Sequence, residues 1–162
     1  STATTSDGTV RPGIFATSPR NLIGTPSDGQ VALSWTTPLD TGGYPLVKYI
    51  VEQQIGATWV VLPVTTTGVS ATITGLTNGV STNFRVSYLS RIGQGSYATI
   101  AATPGKVPTA PQNVSAIGGD GKVTLYWTPP QDSGGYPVLG YYVYNASTAQ
   151  VIATLKIGRA HV

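Results

Sequence analysis

The chain contains no cysteine and no methionine, its single histidine is His161, and charged residues fill only 9% of its 162 positions. Each scarcity excludes something. Without cysteine there is neither a disulfide framework nor a thiolate metal site. With one histidine, next to last in the chain, the Ser/His/Asp and Cys/His arrangements of nucleophilic catalysis lack a base. No run approaches the ~18 apolar residues of a membrane-spanning helix, so no membrane insertion is expected. Strong helix formers are displaced by 20 glycines and 12 prolines, a mix that helices tolerate badly.

What is present suits short strands joined by many turns, where glycine supplies positive φ and proline presets φ. An apolar fraction of 40% is enough for a packed core. The segment Lys156-Ile157-Gly158-Arg159-Ala160-His161-Val162 back-translates to AAG ATC GGA AGA GCA CAC GTC, the string of a short-read sequencing adapter. Residues 156–162 are therefore expected to be an artefact and are set aside as a cloning scar would be. Without them the histidine disappears and net charge falls from +3 to +1, because 7 basic residues remain against 6 acidic ones. So neutral a chain is not expected to bind nucleic acid, which needs a basic face.

An internal repeat organises the rest. At an ungapped offset of 92 positions Trp35 falls on Trp127, Pro19 on Pro111, Asn21 on Asn113 and Asp28-Gly29 on Asp120-Gly121. Gly42-Gly43-Tyr44-Pro45 falls on Gly134-Gly135-Tyr136-Pro137, and 19 of the 40 positions from 12 to 51 are identical. The expected organisation is one whole module at 19–104 and the first half of another at 111–155. Residues 12–18 and the Pro-rich 105–110 act as linkers. Residues 1–11 align with the end of the unit and are expected to be the last strand of a preceding module.

Within the whole module, Gln30 to Trp35 alternates, with Val31, Leu33 and Trp35 on one face, the period of a half-buried strand. Val47 to Val51 follows, with Tyr49 and Val51 inward. Thr58 to Val64 and Ala71 to Ile73 come next. Asn83 to Tyr88 places Phe84, Val86 and Tyr88 together, and Tyr97 to Ala102 closes the unit. With a leading strand near Asn21 to Ile23 this makes seven strands, which predicts an all-β, immunoglobulin-like Greek-key sandwich. The expected core is Val31, Leu33, Trp35, Tyr49, Val51, Ile73, Leu76, Phe84 and Val86.

The unit resembles a fibronectin type III domain. The resemblance rests on Pro19, Trp35, the turn from Pro38 to Gly43 leading into Tyr49-x-Val51, Thr72-Ile73-Thr74-Gly75-Leu76, Phe84-Arg85-Val86, Gly93-x-Gly95 and Thr103-Pro104. It implies a non-catalytic module with no cofactor and no metal. It also implies a tyrosine six residues after Leu76, tying its hydroxyl to the corner backbone. Here that position is Thr82, so a weaker corner is expected, by about 1 kcal/mol. In that family the loop at Ser90-Arg91-Ile92-Gly93-Gln94-Gly95-Ser96 can carry Arg-Gly-Asp; here it does not, and integrin binding does not transfer.

The remaining chemistry is sparse. Asp28 and Asp120, each before glycine in a turn, are expected to bond their own backbone. Asp40 and Asp132 sit in the Gly-Gly loops, where calcium would need ~6–8 oxygens. Gly93-Gln94-Gly95 lies between strands, so it is no phosphate cradle. Three residues stand out as candidate partner contacts: Tyr44 and Tyr136 in the Gly-Gly-Tyr-Pro loops and Arg91 at a loop tip. For the two tyrosines, packing against a neighbouring module is favoured over facing a ligand. Asn113 and Asn145 head glycosylation sequons. The resulting expectation is a spacer and protein-binding scaffold outside the cell or at its surface. Its partners would be the neighbouring modules of the chain and a protein or carbohydrate ligand. The alternatives are an accessory region of a secreted enzyme and an intracellular filament-like array.

Overall fold

The structure, a computed structural model, describes the backbone of residues 2–4 and 10–156 and the side chains of 13–156. The chain divides into two compact units, Ser1–Lys106 and Val107–Val162. At residues 1–11, where the last strand of a preceding module is expected, the structure has β1 (Thr2–Thr4) and β2 (Val10–Pro12), which pair antiparallel with each other. The rest of 1–11 and the tail 157–162 lie outside the described residues. Lys156, grouped with that tail on sequence grounds, pairs with Gly140 in the last strand.

The first unit is an all-β sandwich. Its smaller sheet orders β3 (Arg20–Ser27), β4 (Gln30–Thr36) and β7 (Ser70–Ile73) as β3-β4-β7. Its larger sheet orders β5 (Lys48–Ile55), β6 (Thr58–Val61), β8 (Thr82–Ser90) and β9 (Gly93–Ala102) as β6-β5-β8-β9. The chain crosses between sheets after β4, β6 and β7, which is the Greek-key route. Between the sheets lie Val31, Leu33, Trp35, Tyr49, Val51, Ile73, Phe84 and Val86, all buried, with Leu76 half-buried against them. Tyr49 sits edge-on to both Trp35 (5.2 Å) and Tyr88 (5.8 Å), the arrangement favoured by ring quadrupoles. Ala16, Tyr88 and Ala102 complete the core.

Several strands are longer or shorter than their periodicity suggests, among them β5, which runs on to Ile55, and β8, which runs on to Ser90. β3 runs through Thr25-Pro26-Ser27, where a turn composition hides a strand; Pro26 is tolerated because β3 is an edge. β6 ends at Val61, two residues before Pro63, and Thr66 then bridges to Tyr49. β9 starts at Gly93, because the β8–β9 ladder continues across a bulge to pair Ser90 with Gly93.

The second unit holds β10 (Gln112–Gly119) paired with β11 (Lys122–Thr128), and β12 (Gly140–Tyr144) paired with β13 (Val151–Lys156). These four strands repeat β3 to β6. The repetition extends to detail. Trp127 and Tyr141 meet at 5.3 Å and 67°, against 5.2 Å and 67° for Trp35 and Tyr49. Asn21 and Asn113 both have φ of 51°, and their side-chain amides reach Thr36 and Thr128.

Candidate functional site

Three places in the molecule bring chemically distinctive side chains together. The first is the outer face of the larger sheet. Cross-strand register sets Glu52 of β5 opposite Arg85 of β8. The Arg85 guanidinium donates from Nε to Glu52 Oε2 and from Nη2 to Glu52 Oε1, both at 2.9 Å, a bidentate pair. Its flat face stacks on Tyr97 of β9 at 3.8 Å and on Trp59 of β6 at 4.4 Å. All four strands of the sheet thus contribute to one cluster. The hydrogen bonds to Glu52 raise the Arg85 pKa, outweighing the opposing effect of burial. Two guanidinium donors and both carboxylate oxygens are spent on each other, and the arrangement acts as a lock across the sheet. Sequence alternation puts Glu52 and Arg85 on the outer face but gives no register, so the pairing was not legible there.

The second is the loop end of the first unit, where two candidate partner contacts meet. Tyr44, expected as a partner contact with packing against a neighbouring module favoured, is only 3% exposed. Its ring packs over Gly13, and its carbonyl accepts a hydrogen bond from the Tyr88 hydroxyl at 2.9 Å. Burial, and then the neighbouring Tyr49, raise the Tyr88 pKa above the ordinary tyrosine value of 10.0. Arg91 remains exposed at its loop tip, its guanidinium 5.0 Å above the Tyr44 ring. Tyr136, the repeat partner of Tyr44, is 47% exposed. Residues 13–17, expected to be linker, lie as a strap over this end. Thr17 N–H donates to Asp40 C=O at 2.9 Å, and Ser96 N–H donates to Ala16 C=O at 3.1 Å. Gly42 and Gly95 make the strap possible: a Cβ at either would collide with the backbone of Ile14 or Ala16.

Asp28, Asp40 and Asp132 take structural roles, and that of Asp28 is not the expected one. Asp28 does not bond its own turn; its Oδ1 accepts from Asn78 Nδ2 at 2.7 Å and its Oδ2 lies 3.8 Å from Lys106 Nζ. The self-capping role falls to Asp40 and Asp132, whose Oδ1 atoms accept from Gly42 N–H and Gly134 N–H at 2.8 Å. Asn78 Oδ1 in turn accepts from Gly29 N–H at 2.8 Å. Asn78 therefore ties the β7–β8 corner to the β3–β4 turn, in place of the tyrosine absent at Thr82. Among the described residues no three His, Cys, Asp or Glu side chains gather to hold a metal ion.

The third place is in the second unit, a groove of about 200 Å³ lined by Pro111, Leu125, Trp127, Tyr141, Val143 and neighbouring residues. It is the inner face that the larger sheet's β8 and β9 cover in the first unit. The Tyr141 hydroxyl is buried there without a partner among the described residues. Its counterpart Tyr49 donates to Thr37 Oγ1 at 3.4 Å, and position 129 is proline instead of threonine.

No family model matches the chain. Among curated proteins it is similar to a Kelch domain-containing protein of Saccharolobus solfataricus, 49% identical over 75 residues, or 46% of this chain and 10% of that protein. It is 32% identical to protein sidekick-1 of Homo sapiens over 139 residues, covering 78% of this chain and 6% of that protein. It is 34% identical to chitinase A1 of Niallia circulans over 134 residues, covering 76% of this chain and 18% of that protein. The chain thus spans less than a fifth of each of these relatives. Among solved structures, the sixth fibronectin type III domain of human fibronectin type III domain containing protein 3 superposes with a TM-score of 0.51 at 21% identity. That match covers 62% of this chain and 97% of the domain. Domains A168–A170 of titin superpose with a TM-score of 0.50 at 23% identity, over 55% of this chain and 32% of that one. The first unit thus has the fibronectin type III fold, and four of its strands are repeated at a fixed spacing in the second unit.

Proposed function

We propose that the chain is a non-catalytic spacer and interaction element of a modular protein, placed at the cell surface or outside the cell. The observation that carries this reading is the repeat itself. The same strand pairs, the same Trp–Tyr contact and the same Asp-capped loops recur at an offset of 92, so the unit of construction is a self-contained module. Such modules fold on their own cores and are reused in different settings. Matches to small parts of proteins as different in name as sidekick-1 and chitinase A1 fit reuse of that kind. The side chains brought together on the sandwich surface are locked to one another, which supports a scaffold more than a reaction centre.

A second reading follows from the chitinase A1 match: an accessory region beside a catalytic domain of a secreted enzyme. Surface biotinylation of intact cells producing the natural protein tests the placement. Labelled peptides from residues 13–104 without lysis are the expected result, and labelling only after lysis would favour a filament inside the cell. Polysaccharide hydrolysis by the natural protein, absent from residues 13–106 alone, would select the accessory reading.

A further inference from the structure

The first unit carries a cleft that none of its structural locks explains. It lies at the end opposite the strap, between the β5–β6 turn at Ile55-Gly56 and the β7–β8 corner from Gly75 to Ser81, and its volume is about 410 Å³. That is within the ~300–1,000 Å³ range of small-molecule sites. We propose that this cleft binds a neutral, polyhydroxylated ring, that is, a sugar unit.

The chemistry of the lining carries the proposal. The amide residue Gln53 and the hydroxyl residues Thr77, Ser81 and Thr82 border the cleft, with Gln54 and Asn83 at its edge, their side chains turned to the outer face of the sheet. Each amide and hydroxyl both donates and accepts, which matches the hydroxyls of a sugar, themselves donors and acceptors. No ionisable residue lines the cleft, so a charged ligand would give up hydration without a counter-charge. Ile55, Leu76 and Val80 add aliphatic surface, suited to the C–H face of a pyranose ring.

The inward polar groups are available. The side chains of Gln53, Thr77, Ser81 and Thr82 make no hydrogen bond among the described residues. The space exists because position 82 is small. The alternation of β8 aligns Thr82 with buried Phe84, Val86 and Tyr88, and a ring at that position would occupy the cleft. The inference is independent of the spacer reading, since a spacer need not bind a sugar.

The test is an amide-resolved NMR titration of the full chain with glucose, N-acetylglucosamine, their β-linked disaccharides and, as a charged control, glucuronate. Saturable shifts in the millimolar range, confined to residues 53–56 and 75–83, are expected for the neutral sugars. Tighter binding of a disaccharide would identify a glycan chain as the source, and equal binding a free sugar. Thr82→Tyr fills the cleft and should abolish the shifts. Gln53→Ala, which removes the inward amide, should weaken them at least several-fold and serves if the first variant does not fold. Absence of saturable shifts, equal binding of glucuronate, or binding unchanged in both variants would overturn the proposal.

Discussion

The two units begin from nearly the same sequence and reach different degrees of enclosure. Val31 and Leu33 are 0% and 1% exposed, whereas their repeat partners Val123 and Leu125 are 65% and 37% exposed. The local chemistry is the same in both: the same alternation, the same capped Gly-Gly loop, the same aromatic contact. What differs is long-range. In the first unit β7 pairs with β4, and β8 and β9 extend the larger sheet, closing the sandwich over the core. The comparison separates the two sources of order in a β-sandwich: turn chemistry and alternation shape the hairpins, and only sheet-on-sheet burial makes them a stable body.

The sharpest way to break the comparison is to separate the units. Residues 1–104 are expected to unfold in one cooperative transition and to show dispersed amide resonances. Residues 105–162 alone are expected to show collapsed dispersion and no transition; a native-like spectrum from them would mean that hairpins without a closing sheet suffice. Next in size are paired truncations in the full chain. Leu33→Ala should cost about 2–5 kcal/mol by denaturant unfolding, and Leu125→Ala under about 1 kcal/mol, because only the first empties an enclosed site. Equal losses would show that the second core is also closed.

The outer-face cluster provides a third test. Arg85→Ala leaves the buried Glu52 carboxylate unpaired and should destabilise the first unit by about 3 kcal/mol. In the second unit the position equivalent to Glu52 is Tyr144, so Tyr144→Ala should have little effect on its hairpin. The corner offers smaller effects of opposite sign. Asn78→Ala should cost about 1–2 kcal/mol by freeing Gly29 N–H and Asp28. Thr82→Tyr should add about 1 kcal/mol and raise the melting temperature by several degrees; an unchanged value would mean that Asn78 already does all the tying. The smallest effect concerns pH. Because the Tyr88 pKa is raised on folding, its contribution is fully present below the ordinary value of 10.0 and is lost as pH climbs through the folded-state value. Alkaline unfolding should therefore shift to higher pH in Tyr88→Phe.

Much of the fold was legible because it is written in period two. Val31-x-Leu33-x-Trp35 and Phe84-x-Val86-x-Tyr88 announce their inward faces without help from neighbours. The misses share a cause: they depend on which residue lies opposite which. Asp28 was assigned to its own turn because sequence sees only near neighbours, whereas its partner Asn78 is 50 residues away. Tyr44 looked like a loop aromatic for a partner, because nothing in Gly42-Gly43-Tyr44-Pro45 reveals that Gly13 passes over its ring. The cleft is half visible in the sequence: Thr82 stands where a tyrosine is expected, but that Gln53 shares its face comes from register between β5 and β8.

The strap over the loop end has a mechanical meaning. Tension arriving from the N-terminal side does not reach β3 directly. It is first divided at residues 16 and 17, part passing through Ser96 into the larger sheet and part through Asp40 into the connection between the sheets. Both sheets are then loaded together, and the module resists being peeled apart one layer at a time.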